Sequence, residues 1–318
     1  MRIGNKYNKK SKQNINNPVE NMKIVSFNTQ YYSMAPYVDS TVVKISDNVI
    51  KGSLFSKDNR FRSEEYLLNY KANNNYIGYR IGISNFFQES AVLTSVNLDL
   101  GEEIDDVIAF PKPKKIRTGL SVVIKNRRSV RKYSKSIMSM QDFSNILYYS
   151  QGIADEVPAY NLSHSNKNIK LRNTPSAGGL YPIELYVLVI NVKNLSNGIY
   201  KYYPYSHSIK PINTKIHSSD VRKFAEFGYI NVEDSNLLIM YIYNMLVNTR
   251  KYGDAGMTYA LIETGEIAQN LQLVSTALGY GACDIGGYEK QYVEEVIKID
   301  GIQKHVVHMN IVGTEKEE

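Results

Sequence analysis

Two continuous apolar runs, Leu185–Ile190 and Leu237–Tyr243, within the expected strands Leu185–Val192 and Asn236–Tyr243, constrain this chain more than any other feature. Each has the length of one strand, and an unbroken apolar run, unlike an alternating one, asks for burial on both faces of a sheet. Both fall far short of the ~20 residues that cross a bilayer, so no membrane span is expected. A third strand, Gly198–Tyr203, follows an Asn-Gly turn, and His305–Val312 reads as the last one. Between them, Ala260, Ile267, Leu271, Val274 and Leu278 recur at helical spacing and mark a long central helix that Gly279 and Gly281 end. Ser139-Met-Gln-Asp142 has the spacing of a capping box and opens a helix with Phe143, Ile146 and Leu147 on its apolar face. Shorter helices are expected from Ser219-Asp220 through Ala225 and over Tyr288–Ile299.

The N-terminal part reads differently. Residues 1–20 form a basic tail expected to be disordered. Met22–Phe110 mixes strand-like runs (Thr41–Ile45, Ile77–Ile83, Ala91–Leu98) with a helical patch at Ser63–Tyr70, and shows no catalytic pattern. Pro111-Lys-Pro-Lys-Lys115 interrupts helix and strand alike, which sets a boundary. The expected organisation is thus a tail (1–20), a small α/β domain (21–115) and a main domain (116–318).

Charge and cysteine content narrow the partners. The net charge of +7 permits an anionic ligand. Much of the excess sits in the tail and in Lys112–Lys115, with no basic stripe interleaved with aromatics, so nucleic acid is not an expected partner. A lone cysteine, Cys283, makes neither an intramolecular disulfide nor a thiolate metal site, and its apolar, glycine-rich surroundings suit a buried structural thiol. No apolar core follows the basic N-terminus to make a signal peptide, and a cytoplasmic location is expected. His164, His207, His217, His305 and His308 lack metal-ligand spacing, and no metal is expected.

Two segments carry the chemistry. Arg127-Arg-Ser-Val-Arg131 places three guanidinium groups and the Ser129 hydroxyl within five residues, a set able to surround a phosphate; alone, such a run is more often solvated surface. Arg172-Asn-Thr-Pro-Ser-Ala-Gly-Gly-Leu-Tyr-Pro-Ile-Glu184 leads into the first apolar run. Its Pro175 stiffens the backbone, Ser176 offers a hydroxyl, and Gly178-Gly179 lets main-chain groups approach a planar ring. Neither GxGxxG nor GxxxxGK[ST] occurs, which leaves Rossmann dehydrogenases and P-loop enzymes unsupported.

These two segments, with Gly198-Ile-Tyr-Lys-Tyr-Tyr-Pro204 and His207, Lys251-Tyr252-Gly253, Glu263-Thr-Gly265 and Gln269-Asn-Leu271, stand in the order that resembles the SagB-type (McbC-like) azoline dehydrogenases of the nitroreductase superfamily, over roughly residues 125–313. The resemblance implies an α+β fold with a central, mainly antiparallel sheet flanked by helices, here with a small N-terminal extension. It implies a homodimer with FMN at its interface. The implied reaction is oxidation of thiazoline or oxazoline to thiazole or oxazole in a ribosomally made precursor peptide, with the flavin reoxidised by oxygen. Partners implied are that peptide and cyclodehydratase subunits, and the product could be a streptolysin S-like toxin or a bacteriocin.

Position by position, Arg127, Arg128, Ser129 and Arg131 resemble the phosphate and ribityl contacts, and Pro175, Ser176, Ala177 and Gly178 the wall near the isoalloxazine. Ile285 and Gly286 resemble the backbone contact near the reactive edge, and Lys316 is the one basic residue placed to follow the last strand. Gly253–Tyr259 stands where many relatives carry an arginine-containing stretch. Lys251 and Tyr252 resemble the catalytic pair, with Arg250 as a cationic neighbour. Azoline oxidation needs a base for the ring proton, and lysine serves only where burial or a nearby cation lowers its pKa. Without the resemblance, Lys251 reads as a surface residue at a helix start and Tyr252 as packing. A second pair, Lys201-Tyr202, sends its side chains to opposite faces of a strand and is the weaker candidate. Two other readings remain: an NAD(P)H-dependent nitro- or quinone reductase on the same fold, and a non-catalytic subunit that docks a peptide through residues 22–110 by strand addition.

Overall fold

The computed structural model describes residues 66–67, 70, 77–86, 101–102, 105–158, 168–216, 218–225 and 229–317. The chain divides into two compact units, Met1–Asn69 and Tyr70–Glu318. The strand runs expected at 41–45 and 91–98 lie outside the described residues, as does most of the patch at 63–70.

The second unit carries, in chain order, α1 (Ile77–Asn85), β1 (Ile108–Ala109), α2 (Leu120–Asn126), α3 (Met140–Gln151), β2 (Ile153–Pro158), β3 (Asn168–Arg172), β4 (Ile183–Val189), β5 (Gly198–Tyr203), β6 (Ser208–Asn213), α4 (Ser218–Val221), β7 (Leu237–Asn244), α5 (Met245–Tyr252), α6 (Ala255–Ala277), β8 (Gly281–Ile285), α7 (Lys290–Val296) and β9 (Lys304–Gly313). Seven strands form one sheet in the order β1-β6-β5-β4-β7-β9-β8, with every neighbouring pair antiparallel. β2 and β3 form a separate hairpin. This is the antiparallel sheet with flanking helices that the family resemblance implies.

The apolar runs are buried on both faces, and the period of two divides them cleanly. Ile183, Leu185, Val187 and Val189 of β4 and Leu237, Ile239, Tyr241 and Tyr243 of β7 join Phe143, Ile146 and Leu147 of α3 and Ile267 and Leu271 of α6 in one core. Tyr186, Leu188, Leu238, Met240 and Ile242 face the other way, onto Phe224, Val293 and Ile297. Full burial of each large apolar side chain contributes about 1.5–3 kcal/mol, so both layers are needed to hold the sheet.

Local signals hold at several ends. Ser139 caps α3 by accepting from the Asp142 amide at 3.0 Å. Its hydroxyl also donates to the Asp142 carboxylate at 2.6 Å, so the acid braces the cap through the serine side chain. α7 stops at Val296, short of the expected Ile299, and Lys298 lies just beyond in a left-handed conformation with φ 60°. One expectation fails outright: Ile77–Ile83 is helical, within α1. Its β-branched residues suggested a strand, but the contacts that decide the segment run at helical spacing through Tyr79, Gly82 and Phe86 onto α5 and α6.

Candidate active site

Lys251 and Tyr252 close the last turn of α5, which Gly253 ends with a positive φ of 55°. Both side chains reach the turn between β3 and β4. Gly178 there has φ 66°, and a methyl group placed on it would lie 2.5 Å from Lys251 Nζ and 2.6 Å from the Tyr252 hydroxyl. Glycine is therefore required twice over, by its conformation and by the close approach of the pair.

Helix α1 covers the pair from the other side. Gly82 packs against the α5 backbone so closely that a Cβ would meet the Lys251 carbonyl oxygen, and the Phe86 ring centre lies 4.5 Å from Lys251 Nζ. Tyr252 packs edge-on against Tyr259 at 5.0 Å and lies 6.2 Å from Tyr79, whose hydroxyl is 3.0 Å from that of Tyr259. Burial lowers the Lys251 pKa below that of a free lysine and raises that of Tyr252. The lysine is thus biased toward the neutral amine and the tyrosine toward its protonated form. Arg250 is stacked on the same ring, 5.4 Å from Phe86. Tyr79, Gly82 and Phe86 come from a segment in which the sequence shows no catalytic pattern; their only signal is the 3–4 residue spacing.

Beneath the turn lies a buried carboxyl. Glu263 of α6 is 2% exposed. It accepts from the Ser176 hydroxyl at 2.5 Å and from the Ile183 amide at 3.4 Å. Burial pushes its pKa up to about 7, against the opposing pull of Ser176 and the Arg172 guanidinium. Ser176 in turn accepts from the Tyr181 amide at 2.9 Å, which helps hold Tyr181 at its φ of 53°. Arg172 stacks on Tyr181 at 4.5 Å and on Tyr205 at 5.1 Å.

The arginine run lies elsewhere. It follows α2 and runs beside β8, with Ser129 bridged to Ala282 and the Val130 amide donating to the Ala282 carbonyl at 3.0 Å. Arg127 donates to Gln272 at 3.1 Å, Gln272 donates to Asp284 at 2.9 Å, and Asp284 also receives Asn310 at 2.8 Å and faces His308 at 2.9 Å. Arg128 and Arg131 are exposed and bond main-chain carbonyls of their own segment. Lys316 is drawn to the same place, its amide donating to the Lys132 carbonyl at 3.0 Å. Ile285 is fully buried at the end of β8, while the space above the Gly286 Cα is open. Gly286 stands about 13 Å along the strand from the Ala282–Ser129 bridge, four residues at ~3.3 Å each.

The candidate residues therefore form two groups. Arg127, Arg128, Ser129, Arg131, Ile285 and Gly286 gather along β8; Pro175, Ser176, Ala177 and Gly178 form the turn that meets Lys251 and Tyr252 at Gly178. Helix α6 separates them. Gln272 anchors one group and Glu263 the other, nine residues apart, which is ~13 Å along the axis and about half a turn around it. They flank the buried stripe of Ile267 and Leu271 on opposite sides.

Other candidates are engaged in structure. Lys201 pairs with Glu184 at 3.1 Å, whereas Tyr202 points into the core and meets His207 at 2.9 Å. Cys283 is buried, and burial raises its thiol pKa. His305 and His308 face different partners, and among the described residues no cluster of three or more His, Cys, Asp or Glu groups has metal-binding geometry. No helix among the described residues is long and apolar enough to cross a membrane.

The sheet, its helices and these two groups define an enzyme-type α+β scaffold, and the chain belongs to the nitroreductase family, whose pattern matches residues 124–314. It is 32% identical over 192 residues to the nitroreductase homologue MJ1384 of Methanocaldococcus jannaschii, covering 60% of this chain and 89% of that one. It is 30% identical over 133 residues to the microcin B17-processing protein McbC of Escherichia coli, covering 41% of this chain and about half (49%) of McbC. Among solved structures it shares its fold with a chain of the E. coli microcin synthetase McbBCD complex bound to truncated pro-MccB17, at a TM-score of 0.50 and 19% identity, over 81% of this chain and 99% of that one.

Proposed function

We propose that this protein is an FMN-dependent dehydrogenase that oxidises thiazoline or oxazoline rings in a ribosomally made peptide to the aromatic azoles. The observation that carries the reading is the convergence of Lys251 Nζ and the Tyr252 hydroxyl on Gly178, at a turn where the space above the next glycine, Gly179, is open. A partly buried amine with a lowered pKa is the base such a reaction needs, and the relative McbC processes a microcin.

The residues present fit FMN. Exposed arginines and the Ser129 hydroxyl beside β8 offer charge-assisted donors to a phosphate, and the open Gly286 and Gly179 give a ring access to backbone, with the Lys251 and Tyr252 tips beside them at Gly178. Bound FMN would supply the acceptor for the hydride that leaves the azoline. Lys251 takes the proton from the adjacent ring carbon, and its neutral form is favoured by burial under Phe86. Tyr252 keeps its proton and donates a hydrogen bond that orients the substrate ring. Phe86, Tyr79 and Tyr259 limit water around both groups. Because the arginine group and the Gly178 group lie on opposite flanks of α6, each chain holds two half-sites, and a second copy completes them; a homodimer follows from this reading. A precursor peptide, cyclodehydratase partners and a cytoplasmic location belong to the same proposal, as does a peptide-docking role for the N-terminal residues 21–115.

The test is anaerobic mixing of the FMN-loaded protein with an azoline peptide and, separately, with NAD(P)H. Flavin bleaching by the peptide, with azole formed and lost in Lys251→Ala and Tyr252→Phe that still bind FMN, supports the reading. Bleaching by NAD(P)H alone would instead identify a nitro- or quinone reductase. Peptide capture without flavin binding would identify a docking subunit.

A further inference from the structure

Ser176 sits in the turn between an α6 carboxyl and the Tyr181 amide. A hydroxyl has one hydrogen to donate and two lone pairs. In the structure one lone pair takes the Tyr181 amide at 2.9 Å, and the Glu263 carboxyl stands 2.5 Å away on α6. Ser176 therefore keeps one position free, and what fills it depends on Glu263.

We propose that Glu263 is a positioning residue for the planar ligand at this turn: ionised, it takes the Ser176 hydrogen and leaves Ser176 a lone pair for the ligand; protonated, it donates its own hydrogen and frees the Ser176 hydrogen for the ligand. The inference rests on the flavin reading of the turn, and it adds a group to which that reading assigns no part. Atoms balance in both states, since a single proton on Glu263 turns Ser176 from acceptor to donor while the Tyr181 bond is kept. The groups facing Glu263 are the Ser176 hydroxyl, the Arg172 guanidinium, the Ile183 amide and, along its own helix, Glu266. Lys251 and Tyr252 reach the same turn at Gly178, two residues from Ser176. With burial raising it and Arg172 opposing, the carboxyl is poised to change state near neutral pH, where an exposed glutamate would be fully ionised. Ligand binding and proton binding at Glu263 are then linked, because only one hydroxyl direction matches the ligand group it meets.

Two measurements test this. The first uses protein without FMN: 13C-carboxyl NMR of labelled glutamate, with the Glu263 signal identified by its loss in Glu263→Gln. Its titration is expected near pH 7, moving upward in Ser176→Ala, which lacks the hydroxyl that stabilises the carboxylate. The second is FMN affinity from pH 5.5 to 8.5 in wild type and Glu263→Gln. The FMN phosphate titrates equally in both, so the ratio of the two affinities is the readout. That ratio is expected to change about fivefold across pH 7, the value of about one hydrogen bond, and to stay flat when both proteins also carry Ser176→Ala. A merely structural Glu263 would lower melting temperature and shift affinity equally at every pH, which overturns the proposal. So would a Glu263 signal that ignores Ser176→Ala. Failure of wild type to bind FMN at any pH would sink the flavin reading instead, and the NMR titration would still decide whether Glu263 governs Ser176.

Discussion

Lys251 holds its ammonium nitrogen 4.5 Å from the centre of the Phe86 ring, which follows the end of α1 165 positions earlier in the chain. Two opposite effects meet there. The ring attracts the cation by about 0.5–1 kcal/mol, while burial, which strips water from the charge, lowers the pKa toward the neutral amine.

Phe86→Ala is therefore expected to rehydrate Lys251, raise its pKa and lower the azole-forming rate at pH 7 by about threefold or more, with recovery at higher pH. The sign follows from the base role: a higher pKa leaves less neutral amine at a given pH. Phe86→Leu keeps the cover but loses the π face, so its rate profile should move to lower pH. Single-turnover flavin reduction by an azoline peptide, measured across pH, reads both variants.

Gly178→Ala places a methyl group against Lys251 Nζ and the Tyr252 hydroxyl in a backbone conformation with φ 66°. The conformation costs about 1–2 kcal/mol for a residue with a Cβ. The two side-chain tips are free to swing away, so the protein should still fold, with a melting temperature lower by several degrees and azole formation reduced more than about tenfold. Calorimetry and turnover on the same sample separate the two losses.

His207 sits between Ser144 at 2.8 Å and Tyr202 at 2.9 Å, packed on Phe110, and burial lowers its pKa to about 4. Unfolded, it would bind a proton near pH 6.5. The unfolded state thus takes up the proton first as pH falls, and stability should decline from about pH 6.5 down to 4. Urea midpoints at pH 7 and pH 5 check this: His207→Gln should be less stable at pH 7 yet show a smaller fall between the two.

Glu184 separates the two lysine–tyrosine pairs by experiment. Burial raises its pKa, but Lys201 at 3.1 Å and Lys304 at 2.8 Å together bring it below the ordinary carboxylate range. Lys201→Met should cost about 1 kcal/mol of stability, because Lys304 still neutralises Glu184, and should leave azole formation within about twofold of wild type. Lys251→Met should do the reverse. Denaturation midpoints and turnover of both variants decide between the pairs.

Much of the fold was legible because its signals are local. Burial of β4 and β7 on both faces was written in unbroken apolar runs, and the Ser139 cap of α3 in four residues. The strand β5 followed its turn as expected. The candidate residues were legible mainly through their order along the chain. Missed were Tyr79 and Phe86, since Ile77–Ile83 carries strand-favouring residues and its helix is selected by packing against α5. The partner of Ser176 was equally invisible: Glu263 stands 87 positions away.

By itself, then, the sequence determined the two buried central strands, the capped start of α3 and the long helix α6, because period, capping and turn chemistry act between near neighbours, while the flavin and base roles rested on the order of motifs that resembles the family. Tertiary structure alone decided that Lys251 and Tyr252 meet Gly178 under Phe86, that Glu263 lies buried below Ser176, and that the arginine run stands on the far flank of α6. Water exclusion and close approach depend on which distant elements pack together, and a side chain's pKa follows from that packing.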